Sequence, residues 1–250
     1  MPINTIADVL NHLDTIIQET ENAGSRQGYF AVLYRRMTLA VQQGIQQNVF
    51  TDGVRMEKLD VVFATRYIDA YNAYKTNQPL TEAWRTAFDA CKLSSLTVIQ
   101  HLILGVNTHI NLDLAIAAAD TCPGESIFAM QQDYNKINDI IAALTDEVQY
   151  KLSKIWWPLR LLKNIVNGQQ DAVIDFSITE ARRAAWASGV ALANLQNTTR
   201  NGYINTMDNA VVIIAKRIIN PGFFVNILLK FIRLFEDKNV PDVIRLISEN

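Results

Sequence analysis

Cysteine and histidine are scarce in this chain. Its 250 residues hold two cysteines, Cys91 and Cys122, and three histidines, His12, His101 and His109. Two cysteines outside any C-x-x-C spacing exclude a disulfide framework and predict two reduced thiols. So few histidines exclude a centre of several zinc ions. The E-x-x-H pairs of a di-iron carboxylate bundle are missing as well. The chain has no Walker loop, G-x-G-x-x-G, G-x-S-x-G elbow, H-E-x-x-H or EF-hand loop. No uninterrupted apolar run reaches the roughly 18 residues of a spanning helix. The longest candidate, FFVNILLKFIRLF, is broken by Asn226, Lys230 and Arg233. The N-terminal stretch carries Asp8 and Asp14 and has no basic leader, so it does not read as a signal peptide. Neither sign of charge dominates: 23 basic residues face 25 acidic ones, for a net charge of −2. That leaves no general attraction to nucleic acid or anionic lipid. A soluble, cytoplasmic protein is expected, with no nucleic-acid partner and no membrane span.

What is present is helix. Apolar residues are 49% of the chain and charged residues 19%, a globular balance. Apolar positions recur at helical spacing almost throughout, and β-hairpin signals are scarce. The spacing predicts helices near 4–22, 27–47, 55–74, 81–91, 94–119, 125–154, 159–166, 170–195, 202–219, 222–236 and 240–248. Breakers separate them, among them TDG (51–53), TCPG (121–124), NTTRNG (197–202) and NPG (220–222). The connector around 155–168 carries Trp156, Trp157, Leu159, Leu161 and Leu162, too apolar for a free linker. The expected fold is all-α: one multi-helix domain, residues 1–250, packed around a buried central helix at about 94–119.

The chemistry concentrates in HLILGVNTHINLD, His101 to Asp113. Residues 107–113 alternate as a strand would, but LSSLTVIQ before and LAIAAAD after extend the run past 20 residues with no turn, which favours helix. On a helix His101, Gly105, His109 and Asp113 follow at steps of four and form one ridge. Gly105 leaves room for close packing or a slight kink. Asn107 and Asn111 lie on a second side. The rest of the surface is apolar, so the helix is buried and its polar groups need internal partners. Three readings stay open. His109 and Asp113, at i,i+4, can ligate one divalent metal. Asp113 can orient His109 as an acid–base catalyst. Or the cluster is a hydrogen-bond network that sets helix register. His101, about 12 Å along the axis from His109 by helical rise, does not readily join it at one ion.

Other segments supply partners. Arg66 and Asp69 fall on or beside the apolar stripe of residues 57–71; an Arg66–Asp69 bridge is the plain reading, and Arg66 on a ligand anion the functional one. In 171–193, Asp171, Asp175, Arg182, Trp186 and Gly189 share roughly one side, with Arg182 expected to pair with Asp175 or Glu180. Arg36 borders the stripe of Leu33, Met37, Ala40 and Gly44. The C-terminal amphipathic helix is expected to pack its face of Phe224, Ile227, Leu228, Phe231 and Phe235 on the main body. A homodimer through that face is the alternative, ahead of a membrane surface.

The pattern His101-Leu102-x-x-Gly105-x-Asn107-x-His109-Ile110-Asn111-x-Asp113, with RYIDAY before it and ARRAAW after it, resembles a family of all-helical, mainly bacterial proteins of unknown function. The resemblance spans most of the chain, from about LYRRMT to ALANL. It implies that these polar residues belong together and assigns no activity. The expected function is a polar pocket on the central helix: a hydrolytic or acid–base enzyme acting on a small molecule, with His109 and Asp113 catalytic and His101, Asn107, Asn111, Arg66 and Asp69 binding. The alternative is a non-catalytic binder of a small molecule or protein in which the cluster is structural.

Overall fold

A computed structural model describes residues 2–141 and 178–249. The expected helix 159–166, the connector tryptophans, Asp171 and Asp175 lie outside the described residues. Among the described residues every regular element is helical. The order is α1 (Ile6–Asn22), α2 (Gln27–Gln46), α3 (Gly53–Lys75), α4 (Glu82–Ala90), α5 (Val98–Thr108), a π-helical turn (His109–Leu114), α6 (Ala115–Thr121), a 3₁₀ segment (Gly124–Met130), α7 (131–141), α8 (Ile178–Asn194), α9 (Asn197–Ile219), α10 (Phe223–Phe235) and α11 (Val240–Ser248).

Local chemistry sets the helix starts. Thr5 and Asp8 form a capping box on α1, Thr97 and Gln100 one on α5, and Asp52 caps α3. Elsewhere a distant carboxylate takes the free backbone donors. Asp208 accepts from the amides of Glu82 and Ala83, Asp133 from those of Thr51 and Asp52, and Glu236 from that of Val98. Acidic groups at helix N-termini also suit the helix dipole, so these contacts fasten α9, α7 and the end of α10 to the body.

The central helix runs from Val98 to Thr121 without a turn. It is long and apolar enough by composition to cross a membrane, and 83% of its most apolar window is buried inside the fold. α2, α3, α4, α8 and α9 pack around it. Leu112, Leu114 and Ile116 are almost completely buried, each worth about 1.5–3 kcal/mol of hydrophobic stabilisation. Two glycines permit close approach. A Cβ on Gly189 of α8 would stand 3.3 Å from the Ala115 carbonyl. A Cβ on Gly105 would stand 2.4 Å from the Phe30 ring.

The structure corrects three local expectations. Gly105 does not kink the helix; the departure from α geometry comes later, at His109–Leu114. NTTRNG is not a break, because α9 begins at Asn197. In α10 it is Leu229 and Ile232 that pack inward, while Phe224 is 81% and Phe231 49% exposed. The face expected to lie on the body therefore points outward.

Candidate active site around His109

Asp113 is the hub. It is 1% exposed and both of its oxygens are engaged. Oδ1 accepts from Arg66 Nε at 2.8 Å, and Oδ2 accepts from Trp84 Nε1 at 2.8 Å and meets His109 Nδ1 at 3.1 Å. Burial works against its charge, but the His109 hydrogen bond, the Arg66 guanidinium and the Trp84 donor together hold its carboxyl below the usual range. An ionised Asp113 accepts only, so Nδ1 of His109 carries the proton and Nε2 is left as a basic lone pair. Burial also lowers the pKa of His109, against the pull of Asp113. The imidazole is neutral at neutral pH, and its orientation is that of the carboxylate-held histidine in a nucleophilic triad.

The ring is wedged among aromatics. Phe63 stacks on it with centroids 3.6 Å apart and planes 8° from parallel, and Tyr34 meets it edge-on at 4.4 Å. The π turn carries both His109 and Asp113 on one buried stretch. Such turns recur at functional sites because they re-aim side chains within a continuous helix.

His109 lines a cavity of about 100 Å³ between α2, α3, the π turn, α7 and α8. Its walls are mainly apolar, among them Met37, Val41, Leu59, Ile110 and Ile137. Among the described residues four lining residues present buried polar atoms outside hydrogen-bond geometry: Tyr34 Oη and Thr38 Oγ1, close enough that the Thr38 hydroxyl offsets part of the rise in the Tyr34 pKa, Asp60 Oδ2 and His109 Nε2. Burial, with Glu57 adding repulsion, pushes Asp60 up to about 7. Burial also raises the Tyr34 phenol well above its usual range. At neutral pH the Tyr34 phenol is thus neutral and Asp60 about half protonated. A mainly apolar cavity with a few convergent polar atoms and a carboxylate-oriented histidine has the chemistry of a binding or acid–base site.

The expected residues divide. His109, Asp113 and Arg66 come together, but Arg66 bonds Asp113 and not Asp69. The expected Arg66–Asp69 bridge is therefore absent among the described ion pairs, and Asp69 is exposed. Asn111 Nδ2 donates to Asn107 Oδ1 at 3.0 Å, and Asn107 Nδ2 to the Val211 carbonyl at 3.2 Å, so this pair fastens α9 away from the cavity. His101 packs against Tyr29, outside the cavity lining, and burial lowers its pKa to about 3. As metal ligands, His109 and Asp113 bond each other, and both Asp113 oxygens already serve donors. His109 Nε2 and Asp60 Oδ2 are the unpartnered ligand-type atoms of the lining, fewer than the three protein ligands of a typical catalytic zinc site. Among the described residues, no group of three or more His, Cys, Asp or Glu is placed to hold a metal ion. Among the described residues Arg182 does not pair with Glu180; its partners are Asn138 and Tyr134, and Asp175 lies outside the described residues.

Sequence reasoning missed Tyr34, Thr38 and Asp60. A signal existed for Asp60. With Ala64, Tyr67 and Tyr71 it forms a run at steps of three and four, and that run is the face α3 buries.

Comparison with known proteins adds membership and no activity. No curated protein and no solved structure matches the chain. Residues 6–221 match the Family of unknown function (DUF5995), which covers the central helix and every cavity residue named above, and the chain belongs to that family.

Proposed function

We propose that this protein binds a small molecule in the cavity beside His109, and that His109, oriented by Asp113, moves a proton on it. The observation that carries the reading is the convergence of Tyr34, Thr38, Asp60 and His109 on one cavity with their polar atoms unpartnered. Leaving a buried polar atom unpaired costs about 1–3 kcal/mol, so an occupant that bonds several of them is favoured. His109 Nε2 is the base. Asp60, poised near neutrality, is the complementary acid, the division of roles that two differently perturbed groups permit.

The test is a panel of small alcohols, amides and carboxylic acids titrated against the protein, with ¹⁵N NMR of the His109 ring as the readout. Binders that shift Nε2, and that exchange a carbon-bound proton for deuterium with wild type but not with a folded His109→Ala variant, support the reading. A ring that no member perturbs opposes it. Elemental analysis of untagged protein checks the metal alternative; near-stoichiometric metal lost in His109→Ala would replace proton transfer with metal chemistry at Nε2.

A further inference from the structure

Arg182 of α8 lines the same cavity and is 3% exposed. Its Nε donates to Asn138 Oδ1 at 2.6 Å and one terminal nitrogen to the Tyr134 carbonyl at 2.7 Å. The guanidinium lies over the Tyr134 ring, 4.4 Å from its centroid. Tyr134 Oη returns a hydrogen bond to the Arg182 carbonyl. All of these partners are uncharged. Glu180, the nearest acid along α8, pairs with Arg183. Among the described residues no carboxylate stands within ion-pair distance of Arg182, and no acid appears among the influences on its pKa, which burial lowers. The second terminal nitrogen makes no hydrogen bond among these contacts.

A buried cation without a counter-ion is costly, and removing a charge from water is repaid only by an opposite charge or by full hydrogen bonding. The ring face and two neutral acceptors repay part of that cost. They also hold the guanidinium rigid at the cavity wall. The other polar groups there, Tyr34, Thr38 and, below about pH 7, a protonated Asp60, are neutral donors that can bond a second oxygen. The remaining walls are aliphatic and aromatic.

We propose that Arg182 is an anion anchor and that the ligand is a small monocarboxylate with an aliphatic body. This rests on the reading of the cavity as a ligand site. The guanidinium takes the carboxylate, as its planar fork suits, and the aliphatic part lies along Met37, Val41, Leu59 and Ile137. One unpaired cation neutralises one negative charge. A dianion such as phosphate would leave charge buried and unmatched. A cavity of 150 Å³ holds the six carbons of a benzene ring, so about 100 Å³ takes roughly four non-hydrogen atoms, and because the cavity is partly open an acid of up to about six can extend towards its mouth.

Butyrate is the probe, with butyramide and 1-butanol as uncharged counterparts of the same size. Titration calorimetry uses the full chain in a buffer free of carboxylates. Butyrate is expected to bind at least about tenfold more tightly than butyramide, the ratio for one hydrogen bond to a charged group. Arg182→Met is expected to abolish that ratio while leaving butanol binding intact. Equal binding of all three probes to wild type overturns the anchor and leaves the cavity reading standing. Binding of none overturns both. The butyrate-to-butyramide ratio needs only the wild-type chain, so the proposal stays testable even if Arg182→Met does not fold.

Discussion

Replacing Asp113 by alanine removes one acceptor from three donors at once. Trp84 Nε1 and His109 Nδ1 are left buried with nothing to bond. Each such orphan costs about 1–3 kcal/mol. Arg66 loses its carboxylate too, but its side chain is 28% exposed and water takes part of the load. The sum is about 3–5 kcal/mol, the usual cost of breaking a buried pair from one side. Asp113→Asn has the same shape and, with its oxygen kept for Arg66 and its amide nitrogen in the place of Oδ2, orphans Trp84 Nε1 alone, so about half that loss is expected. It has a second effect. Its amide donates towards Nδ1, so the imidazole proton moves to Nε2 and the cavity-facing nitrogen changes from acceptor to donor. Urea unfolding followed by tryptophan fluorescence measures the first effect and ¹⁵N NMR of the imidazole the second. A loss below about 1 kcal/mol in Asp113→Ala, or a wild-type His109 already protonated on Nε2, would refute the account of Asp113 as the group that fixes both fold and tautomer. The pH dependence has a definite sign. His109 has a lowered folded pKa, so its contribution is present above its unfolded value of 6.5 and falls away on acidification from there. Asp113 is lowered as well, and its contribution is lost only as pH drops below 3.8 towards its folded pKa.

Asp60 acts in the opposite direction: with its pKa raised from 3.8 to about 7, stability declines as pH rises across that window, by roughly 4 kcal/mol in all. Asp60→Asn should flatten that decline in unfolding curves taken between pH 4 and pH 8, and an unchanged slope would show that Asp60 is not the group responsible. Gly105→Ala drives a methyl into the Phe30 ring at 2.4 Å and is expected to cost about 1–3 kcal/mol in urea unfolding and to disturb the cavity wall that Phe30 lines. Thr38→Val replaces an unpartnered hydroxyl by a methyl of the same shape, so it should stabilise the free protein by about 1 kcal/mol and weaken probe binding; a destabilised variant would mean that the hydroxyl already has a partner.

The helices were legible because burial is periodic and breakers are local. α1, α2, α3 and α11 lie within two residues of the spans their apolar spacing predicts. The failures share another cause. NTTRNG is turn-like by composition, yet Gln196 and Asn197 complete the turn and the remaining residues continue as helix. The outward face of α10 is amphipathic like any packed helix, and periodicity cannot say which way such a helix faces. In the site, His109 and Asp113 were legible because i,i+4 spacing is intrinsic to one helix. The Arg66–Asp113 pair was not, since it joins segments 47 residues apart. Nor was Arg182, whose neutral partners on α7 bear no mark of the role.

These observations bear on why polar groups persist on so buried a surface. Asn107, Asn111 and Gln100 end in hydrogen bonds that fasten α9 to the central helix, and they fit a purely structural account. Asp113 fits it in part, since it binds α3 and α4 to the π turn through Arg66 and Trp84. The same account fails at Tyr34, Thr38, Asp60 and His109 Nε2. A core selected for stability alone would fill their cavity with apolar side chains, because each unpaired atom costs about 1–3 kcal/mol against a net stability of only about 5–15 kcal/mol. Four such atoms around one space, beside an arginine with no acid in ion-pair reach among the described residues, subtract from stability wherever the space is left empty. On the proposed reading, an occupant that enters the cavity and bonds them offsets that cost, and the charge of Arg182 sets the sign of the occupant.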